Sequence, residues 1–257
     1  MNIQAEPLVS IITPLYNSEK FIAETIESVL AQTYTNWEML IVNDCSKDNG
    51  AKIVEEYVKK DKRIKLFNNE KNLGGAGTRN RAIKEARGRY IAFLDSDDLW
   101  KKEKLKKQIK FMENNGYSLA YSKFEQIDEN SIPLGVEVVI PSKVSYKELF
   151  KADVIGCLTA IYNQEKLGKI YMPEVRMGQD FALWLEILKK INVAYGINES
   201  LALYRIRKGS LSKNKLKRIK FNWIIFRKYN NQNIMQSSWY IFNNVLDKIL
   251  KLRIRRI

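Results

Sequence analysis

The chain has 257 residues, 45% of them hydrophobic and 11% aromatic, so it can bury a sizeable core, and global disorder is excluded. The formal net charge is +15, and the absence of histidine excludes His-based triads and His-ligated zinc. The two cysteines, Cys45 and Cys157, lack the spacing of a metal site or a disulfide framework, which favours a reducing compartment. No signal-peptide pattern and no run of about 18 apolar residues occurs, so we expect a cytoplasmic protein.

Strand and helix patterns alternate through the first hundred residues. Apolar, β-rich runs predict four strands, at 9–13, 39–43, 64–67 and 90–94. Between them we predict a helix from Ser18 to about Gln32, a helix that begins at Ser46 or Asp48, and a flexible loop at 74–77 before a helix at 78–86. This order predicts an α/β fold: a Rossmann-like, mostly parallel sheet with helices on both faces.

Polar segments follow three of these strands: TPLYN (13–17), NDCSKD (43–48) and DSDD (95–98). In open parallel sheets, ligands bind beyond the carboxyl ends of the strands. We therefore expect the three segments to meet in one crevice.

The second half is less regular. A Lys-rich amphipathic helix follows Trp100, and strands are predicted at 118–124 and 136–140. Asp180 opens a strongly apolar helix, and two short strands are predicted at 192–196 and 201–206. From Ser212 onward, a basic and aromatic segment is predicted to be helical to the C-terminus.

The DSDD segment places three carboxylates, Asp95, Asp97 and Asp98, directly after a buried strand. Two such charges about 4 Å apart repel by roughly 4 kcal/mol at an effective dielectric constant of 20, so the cluster needs a cation, hydrogen-bond donors or full solvation. Mg²⁺ and Mn²⁺ favour carboxylate and phosphate oxygens, which makes a metal site one interpretation. The alternative is a solvated acidic turn that caps the next helix.

Five segments, VSIITPLYN, IVNDCSKD, GGAGTRNRAI, GRYIAFLDSDD and GQDFALWLEIL, resemble in order and spacing the family 2 glycosyltransferases with the GT-A fold. The resemblance covers roughly residues 7–212. It implies a catalytic domain at 1–212, with a nucleotide-binding half at about 1–100 and an acceptor half at about 101–212. Residues 213–257, called the tail below, would form a basic amphipathic helical extension.

The resemblance also implies roles for the strand-end residues. Asp98 would be the leading direct ligand of Mn²⁺ or Mg²⁺, Asp97 would lie near the ribose and the metal, and Asp95 would assist. Four further residues would lie at the nucleotide: Pro14, Tyr16, Asp44 and Arg79. Each also has a structural interpretation, such as core packing for Tyr16 or a helix cap for Asp44.

The segment GQD carries Asp180, which matches the family's single catalytic base. A carboxylate there can take the proton of a sugar hydroxyl as it attacks the anomeric carbon, although a helix-capping role is compatible with the same position. The family usually has Glu before this Asp, where the chain has Gln179. Family members often have His where Arg207 stands; since Arg binds phosphate oxygens rather than metals, we predict that Arg207, with Lys208, stabilises the departing diphosphate.

The tail holds 12 Lys and Arg but one acid, Asp247, so it contributes +11 of the net charge. Basic, aromatic, amphipathic helices bind anionic lipid surfaces, and such a location suits a lipid-linked acceptor. The alternative is that the apolar faces pack against the catalytic domain. The tail contains no recognised nucleic-acid motif, so we expect no nucleic-acid partner.

These features predict a metal-dependent, inverting hexosyltransferase that moves a sugar from a nucleotide-diphosphate donor, expected to be a UDP-sugar, to a glycan or lipid-linked acceptor in bacterial surface polysaccharide synthesis. The expected location is peripheral, at the inner face of the plasma membrane. Two alternatives stay open: an inactive membrane-associated scaffold of the same fold, and a nucleotidyltransferase. A nucleotidyltransferase should have a basic, Gly-rich segment at the end of the first strand, whereas TPLYN is neither basic nor Gly-rich.

Overall fold

The computed structural model of the protein describes residues 6–207, 215–250 and 253–257. The strands are β1 (Val9–Leu15), β2 (Trp37–Asn43), β3 (Ile64–Asn68), β4 (Tyr90–Phe93), β5 (Leu99–Trp100), β6 (Leu119–Ile127), β7 (Pro133–Val138), β8 (Lys143–Ser145), β9 (Ile161–Asn163), β10 (Val193–Arg205) and β11 (Ile254–Arg256). The α-helices are α1 (Ile22–Leu30), α2 (Gly50–Lys60), α3 (Gly74–Glu85), α4 (Lys104–Asn115), α5 (Tyr146–Lys151), α6 (Gln164–Leu167), α7 (Gln179–Ile191), α8 (Lys215–Ile224) and α9 (Ile234–Ile249).

The first four strands form the parallel part of the sheet, in the spatial order β3-β2-β1-β4. Side chains alternate between two cores, because successive residues of a strand point to opposite faces. Ile12 and Leu40 face α3 and α7, whereas Ile11 and Met39 face α1, α2 and α4. The predicted βαβαβαβ order and the helices on both faces are confirmed.

Most pairings in the second half are antiparallel: β9 joins β4 to β6, and β6 pairs with β7. The parallel pairing predicted for the sheet is therefore concentrated in the first half, with β10 parallel to β6 as the addition in the second. The two short strands predicted at 192–196 and 201–206 are one strand, β10. Its pairing with β6 shifts register on both sides of Ser200, and this irregularity hid its continuity in the sequence pattern.

The glycine-rich segment is helical, so the flexible loop predicted at 74–77 is wrong. Helix α3 begins at Gly74 because the Asp44 carboxylate accepts hydrogen bonds from the backbone N–H groups of Leu73 and Gly74, at 2.7 and 2.9 Å. These are donors that a helix N-terminus leaves unpaired. Asp44 is 30 residues away from Gly74 along the chain, so the cap could not be read from the local sequence.

The tail packs along one side against the part of the chain that precedes it. Ile225 and Phe226, in a π-helical turn at Ile225–Tyr229 that follows α8, are fully buried with the α5 and α7 side chains. The tail was predicted to be helical to its end, which is wrong for Ile254–Arg256, since β11 pairs antiparallel with β7 at the sheet edge. Over the part of the chain that the structure describes, each helix is too short or too polar to cross a bilayer.

Candidate active site

Strand β1 extends past its neighbour at the carboxyl edge of the sheet. Its pairing with β4 ends at Ile12, so Pro14, which lacks an N–H, lies where β4 requires no hydrogen bond from it. The next residue after the strand, Tyr16, is 51% exposed. An exposed aromatic ring at this position is available to stack on a flat partner.

Asp44 follows β2 and is 3% exposed. Besides the two N–H groups at the start of α3, its carboxylate accepts a hydrogen bond from Nδ2 of Asn69 at 2.8 Å. These bonds use three of the roughly four acceptor positions of a carboxylate. Asp44 is thus first of all the anchor that holds α3 against the end of β2, with one acceptor position remaining.

Arg79, on α3, links the first half of the chain to α7. Its Nη2 forms an ion pair with Asp95, and its Nη1 donates a 3.3 Å hydrogen bond to Oε1 of Gln179. The Arg79 side chain is 11% exposed, and among the described residues its Nε has no hydrogen-bond partner. Gln179, which the sequence marked only as a departure from the family, therefore forms a contact between the two halves of the site.

Asp97 and Arg207 form the second ion pair of the crevice. Nε of Arg207 lies 2.7 Å from Oδ2 of Asp97, and its guanidinium group also stacks 5.4 Å from the ring of Phe21. Burial and the nearby Asp95 carboxylate raise the pKa of Asp97 above its usual value. Lys208, which the sequence paired with Arg207, lies outside the described residues.

Asp98 is built into the frame of the site. It is 2% exposed, its Oδ1 accepts the backbone N–H of Arg205 at 2.8 Å, and its carbonyl accepts the Thr25 hydroxyl. Burial and the carboxylates of Asp97 and Asp95 raise its pKa well above its usual value. Because Oδ1 of Asp98 already accepts the hydrogen bond from Arg205 and the residue is almost fully buried, our proposal gives the expected role of leading metal ligand to Asp97, whose side chain is 17% exposed.

Arg205 is the residue that the sequence reasoning missed. Its side chain is fully buried at the end of β10, where it ties the acidic turn to the loop after β6 and to α1. Its partners are the carbonyls of Asp97, Asp128 and Glu129, the Ser131 hydroxyl and the Glu24 carboxylate. A charged residue inside the apolar run LALYRI was the available signal, because buried charges need dedicated partners.

Asp180 lies in the first turn of α7, after Gly178, which adopts a left-handed conformation with φ of 73°. The residue is partly exposed, yet the surrounding protein desolvates its carboxyl group. This burial, with the neighbouring Asp153 carboxylate, raises the pKa of Asp180 to about 6, while Arg79 opposes the shift. Near neutral pH the group is therefore ionised but close to its pKa, as a general base requires.

The donor atoms of the crevice suit a hard divalent cation held mainly by its ligand. Among the described residues, no three His, Cys, Asp or Glu side chains are grouped as a metal site. Mg²⁺ is commonly held by one or two carboxylates plus substrate phosphates, so Asp97 with Asp95 fits such an ion, provided that phosphate oxygens complete the coordination.

Comparison with known proteins gives one family. The model of "Glycosyl transferase family 2" matches residues 10–167. A "Putative teichuronic acid biosynthesis glycosyltransferase TuaG" of Bacillus subtilis is 43% identical over 91% of this chain and 93% of its own length. The "UDP-Glc:alpha-D-GlcNAc-diphosphoundecaprenol beta-1,3-glucosyltransferase WfgD" of Escherichia coli is 42% identical over 95% and 94%.

Solved structures share the fold at lower sequence identity. S. aureus TarS residues 1–349 in complex with UDP-GlcNAc aligns with a TM-score of 0.70 and 24% identity over 90% of this chain and 69% of the 1–349 chain. The mannosyltransferase PcManGT from Pyrobaculum calidifontis, in complex with GDP-Man and Mn²⁺, aligns with a TM-score of 0.70 and 17% identity over 93% and 70%. These neighbours confirm the predicted GT-A fold.

Proposed function

Because the chain belongs to glycosyl transferase family 2, we propose that this glycosyltransferase is an inverting, metal-dependent hexosyltransferase that uses a UDP-sugar. Its acceptor would be a hydroxyl of a lipid-linked glycan in bacterial surface polysaccharide synthesis. One observation carries the proposal: Arg79 lies between α7, whose Gln179 it bonds, and the strand-end acid Asp95, and the residue after Gln179 is Asp180, with a pKa of about 6. A base on one side and a diphosphate-binding group on the other is the arrangement that in-line displacement needs.

The donor crevice, defined by Tyr16, Asp44, Arg79, Asp95 and Asp97, is proposed to bind the nucleotide. The exposed ring of Tyr16 would stack on the base beside Pro14, and the remaining acceptor position of Asp44 would take a hydrogen bond from it. The positive charge of the Arg79 guanidinium group would attract the diphosphate of the donor. The TarS complex with UDP-GlcNAc supports the choice of UDP.

We assign the metal-binding role to Asp97, with Asp95 beside it and Asp98 behind it. A bound Mn²⁺ or Mg²⁺ would neutralise the leaving diphosphate. The complex of PcManGT with Mn²⁺ supports this assignment. Arg207 would also help to neutralise the diphosphate. Its Nε lies 2.7 Å from Oδ2 of Asp97, and its planar guanidinium group can bind phosphate oxygens through two parallel hydrogen bonds.

Asp180 would act as the base. Its carboxylate would accept the proton of the acceptor hydroxyl while the oxygen bonds to the anomeric carbon and the UDP departs on the opposite side. A single displacement of this kind turns an α-linked donor into a β-linked product. Gln179 would hold the start of α7 to Arg79, so that the base keeps its position relative to the donor.

The lipid-linked acceptor and the location rest on the relatives. WfgD is named for a diphosphoundecaprenol-linked substrate, and TuaG for the synthesis of a surface polymer. We propose that this enzyme likewise works at the inner face of the plasma membrane as a peripheral protein. The two cysteines are both free, which is typical of a reducing compartment.

The test is donor turnover by the purified protein, measured with a panel of nucleotide sugars, with and without Mn²⁺. We expect release of UDP from one UDP-sugar, faster with an added acceptor and with Mn²⁺, and nearly lost in Asp97→Asn. Turnover of no nucleotide sugar, by a protein that still binds UDP, would favour the inactive-scaffold alternative. Metal-dependent release of diphosphate from a nucleoside triphosphate would favour a nucleotidyltransferase.

A further inference from the structure

Helix α9 exposes a regular stripe of large apolar side chains. Met235, Trp239, Phe242, Leu246 and Ile249 follow one another at spacings of four and three residues, which places them on one face of the helix. Their exposed fractions run from 39% for Leu246 to 83% for Met235. Soluble proteins rarely expose such a contiguous apolar stripe to water, so the stripe indicates a binding surface.

The opposite face of α9 is already used. Asn244 donates a hydrogen bond to the carbonyl of Phe150 at 2.5 Å, and the ring of Tyr240 stacks on that of Phe150 with centroids 4.8 Å apart. Ser237, on the same side, is fully buried. The helix is therefore anchored to the catalytic domain by one face, and the exposed stripe is held rigidly outward.

An apolar groove of about 760 Å³ continues the stripe toward α8. Its lining residues are Ile219, Lys220, Trp223, Ser238, Ile241, Phe242 and Val245. We call Ile219, Trp223 and the five stripe residues the docking face. Two of its members are tryptophans, whose rings combine an apolar body with a polar N–H and are enriched at membrane–water interfaces.

Cations outnumber acids in the segments that carry the docking face, where the one acid, Asp247, pairs with Arg253. Lys220, Arg227 and Lys228 are exposed on α8 and the turn after it, and the sequence has no acidic residue between 213 and 246. A second copy of the chain would bring two tails of net charge +11 together, which disfavours self-association through this face. An anionic lipid surface complements both the apolar stripe and the cations.

We infer that the docking face is where the protein inserts into an anionic bilayer, with the two tryptophans and Phe242 at the headgroup boundary. The inference rests on the proposed function only for the lipid-linked acceptor, and it deepens that function by naming the membrane contact. The binding is apolar as well as electrostatic, so added salt weakens it without abolishing it.

The docking face also lies close to the acceptor side of the site. Trp223 lies on the exposed side of α8, whereas Asn222 on α8 and Ile225 in the turn after it lie beside Gly178, where a Cβ atom would be 3.1 Å from Cδ1 of Ile225. Gly178 precedes the turn that carries Asp180. One helix, about 10 Å across, therefore separates the membrane contact from the segment that holds the base.

Sedimentation of the full-length protein with lipid vesicles tests the inference. The variants are W239S/F242S on the docking face and, as a matched control, I132S/L134S, which removes two exposed apolar side chains near β7. With vesicles of phosphatidylcholine and phosphatidylglycerol, we expect W239S/F242S to bind at least about 10-fold more weakly than the wild type. The control should bind as tightly as the wild type. Thermal unfolding of each variant shows that the fold is retained.

Equal vesicle binding by W239S/F242S and wild type would overturn the inference. It would also be overturned if the wild type were a dimer that this variant converts to monomer without any vesicle binding. The outcome is separable from the proposed function, because donor turnover with a short, water-soluble acceptor should be the same in W239S/F242S and wild type. Loss of turnover in all forms, with vesicle binding intact, would instead count against the proposed function.

Discussion

In the donor crevice, the described charges have specific partners, whereas in the tail cations outnumber acids by 12 to one. Arg79, on α3, pairs with Asp95, and Arg207, just after β10, pairs with Asp97. Pairing of that kind fixes geometry and resists screening by salt, while a surplus of exposed cations acts diffusely and is screened. This difference supports our proposals that the crevice binds one ligand in one orientation and that the tail binds a lipid surface.

The largest expected effect is at Asp180. D180N should lower turnover about 100-fold or more, because general base catalysis typically contributes 10²- to 10⁴-fold, while UDP affinity stays nearly unchanged. Turnover measured beside UDP binding by calorimetry checks this. Unchanged turnover would remove Asp180 from the mechanism and leave the crevice as a binding site alone.

The same substitution should stabilise the protein at neutral pH. The pKa of Asp180 is raised to about 6, so its stabilising contribution is present below its unfolded pKa near 4 and lost as pH rises through about 6. At pH 8 the buried charge then costs on the order of 2 kcal/mol, which D180N removes. We expect a higher Tm for D180N at pH 8 and a smaller difference at pH 5; an equal difference at both would contradict the raised pKa.

Substitution of Arg205 tests whether the protein's stability depends on the buried hydrogen bonds that this residue makes beneath the crevice. R205L should lower the free energy of unfolding by about 3 kcal/mol, because it leaves the carbonyls of Asp97, Asp128 and Glu129 without a donor. Urea unfolding measures this, with K59L as the control. The Lys59 side chain is 68% exposed and pairs with the exposed Glu56, so its loss should leave the free energy of unfolding nearly unchanged.

Turnover should depend on Arg207, a cation in an ion pair of the crevice, but not on an exposed cation of the tail. R207A should lower turnover about 10-fold or more, even at saturating metal, because it removes a donor to the leaving diphosphate. K228A, which removes an exposed tail cation, should leave turnover on a soluble acceptor unchanged. The Arg207 effect should persist at high salt. If R207A turns over as fast as the wild type, its ion pair with Asp97 is structural.

Gln179 should have the smallest effect. Q179E places a carboxylate next to Asp180 and lets it compete for Arg79, so both changes raise the pKa of Asp180. The acidic limb of the kcat/KM profile should move up by about half to one pH unit. Q179L removes the hydrogen bond without adding charge and should not produce this upward shift; an equal shift in both variants would point to a distortion of α7.

Local patterns in the sequence were sufficient for the first half of the fold. Continuous apolar runs gave the four parallel strands, and amphipathic spacing gave the helices between them. The start of α3 was missed because its cap, Asp44, comes from a distant segment. β10 was divided in two because its register shifts interrupt the apolar pattern.

The sequence was sufficient to predict which residue types form the site, but not which contacts each of them makes. The sequence named three acids at DSDD, yet only packing distinguishes Asp98, bonded to the backbone of Arg205, from Asp97, paired with Arg207. The tail posed a similar question. Membrane contact and packing were weighed as alternatives, and α9 shows an apolar face on each side, with one packed on the catalytic domain and the other exposed.

The central claim is that one carboxylate, Asp180, acts opposite the departing diphosphate in a single displacement. The anomeric configuration of the product, determined by NMR after reaction with an α-linked UDP-sugar, tests it most directly. A β-linked product is the predicted result, while an α-linked product would contradict the account, because it needs either a second displacement or attack from the side of the leaving group.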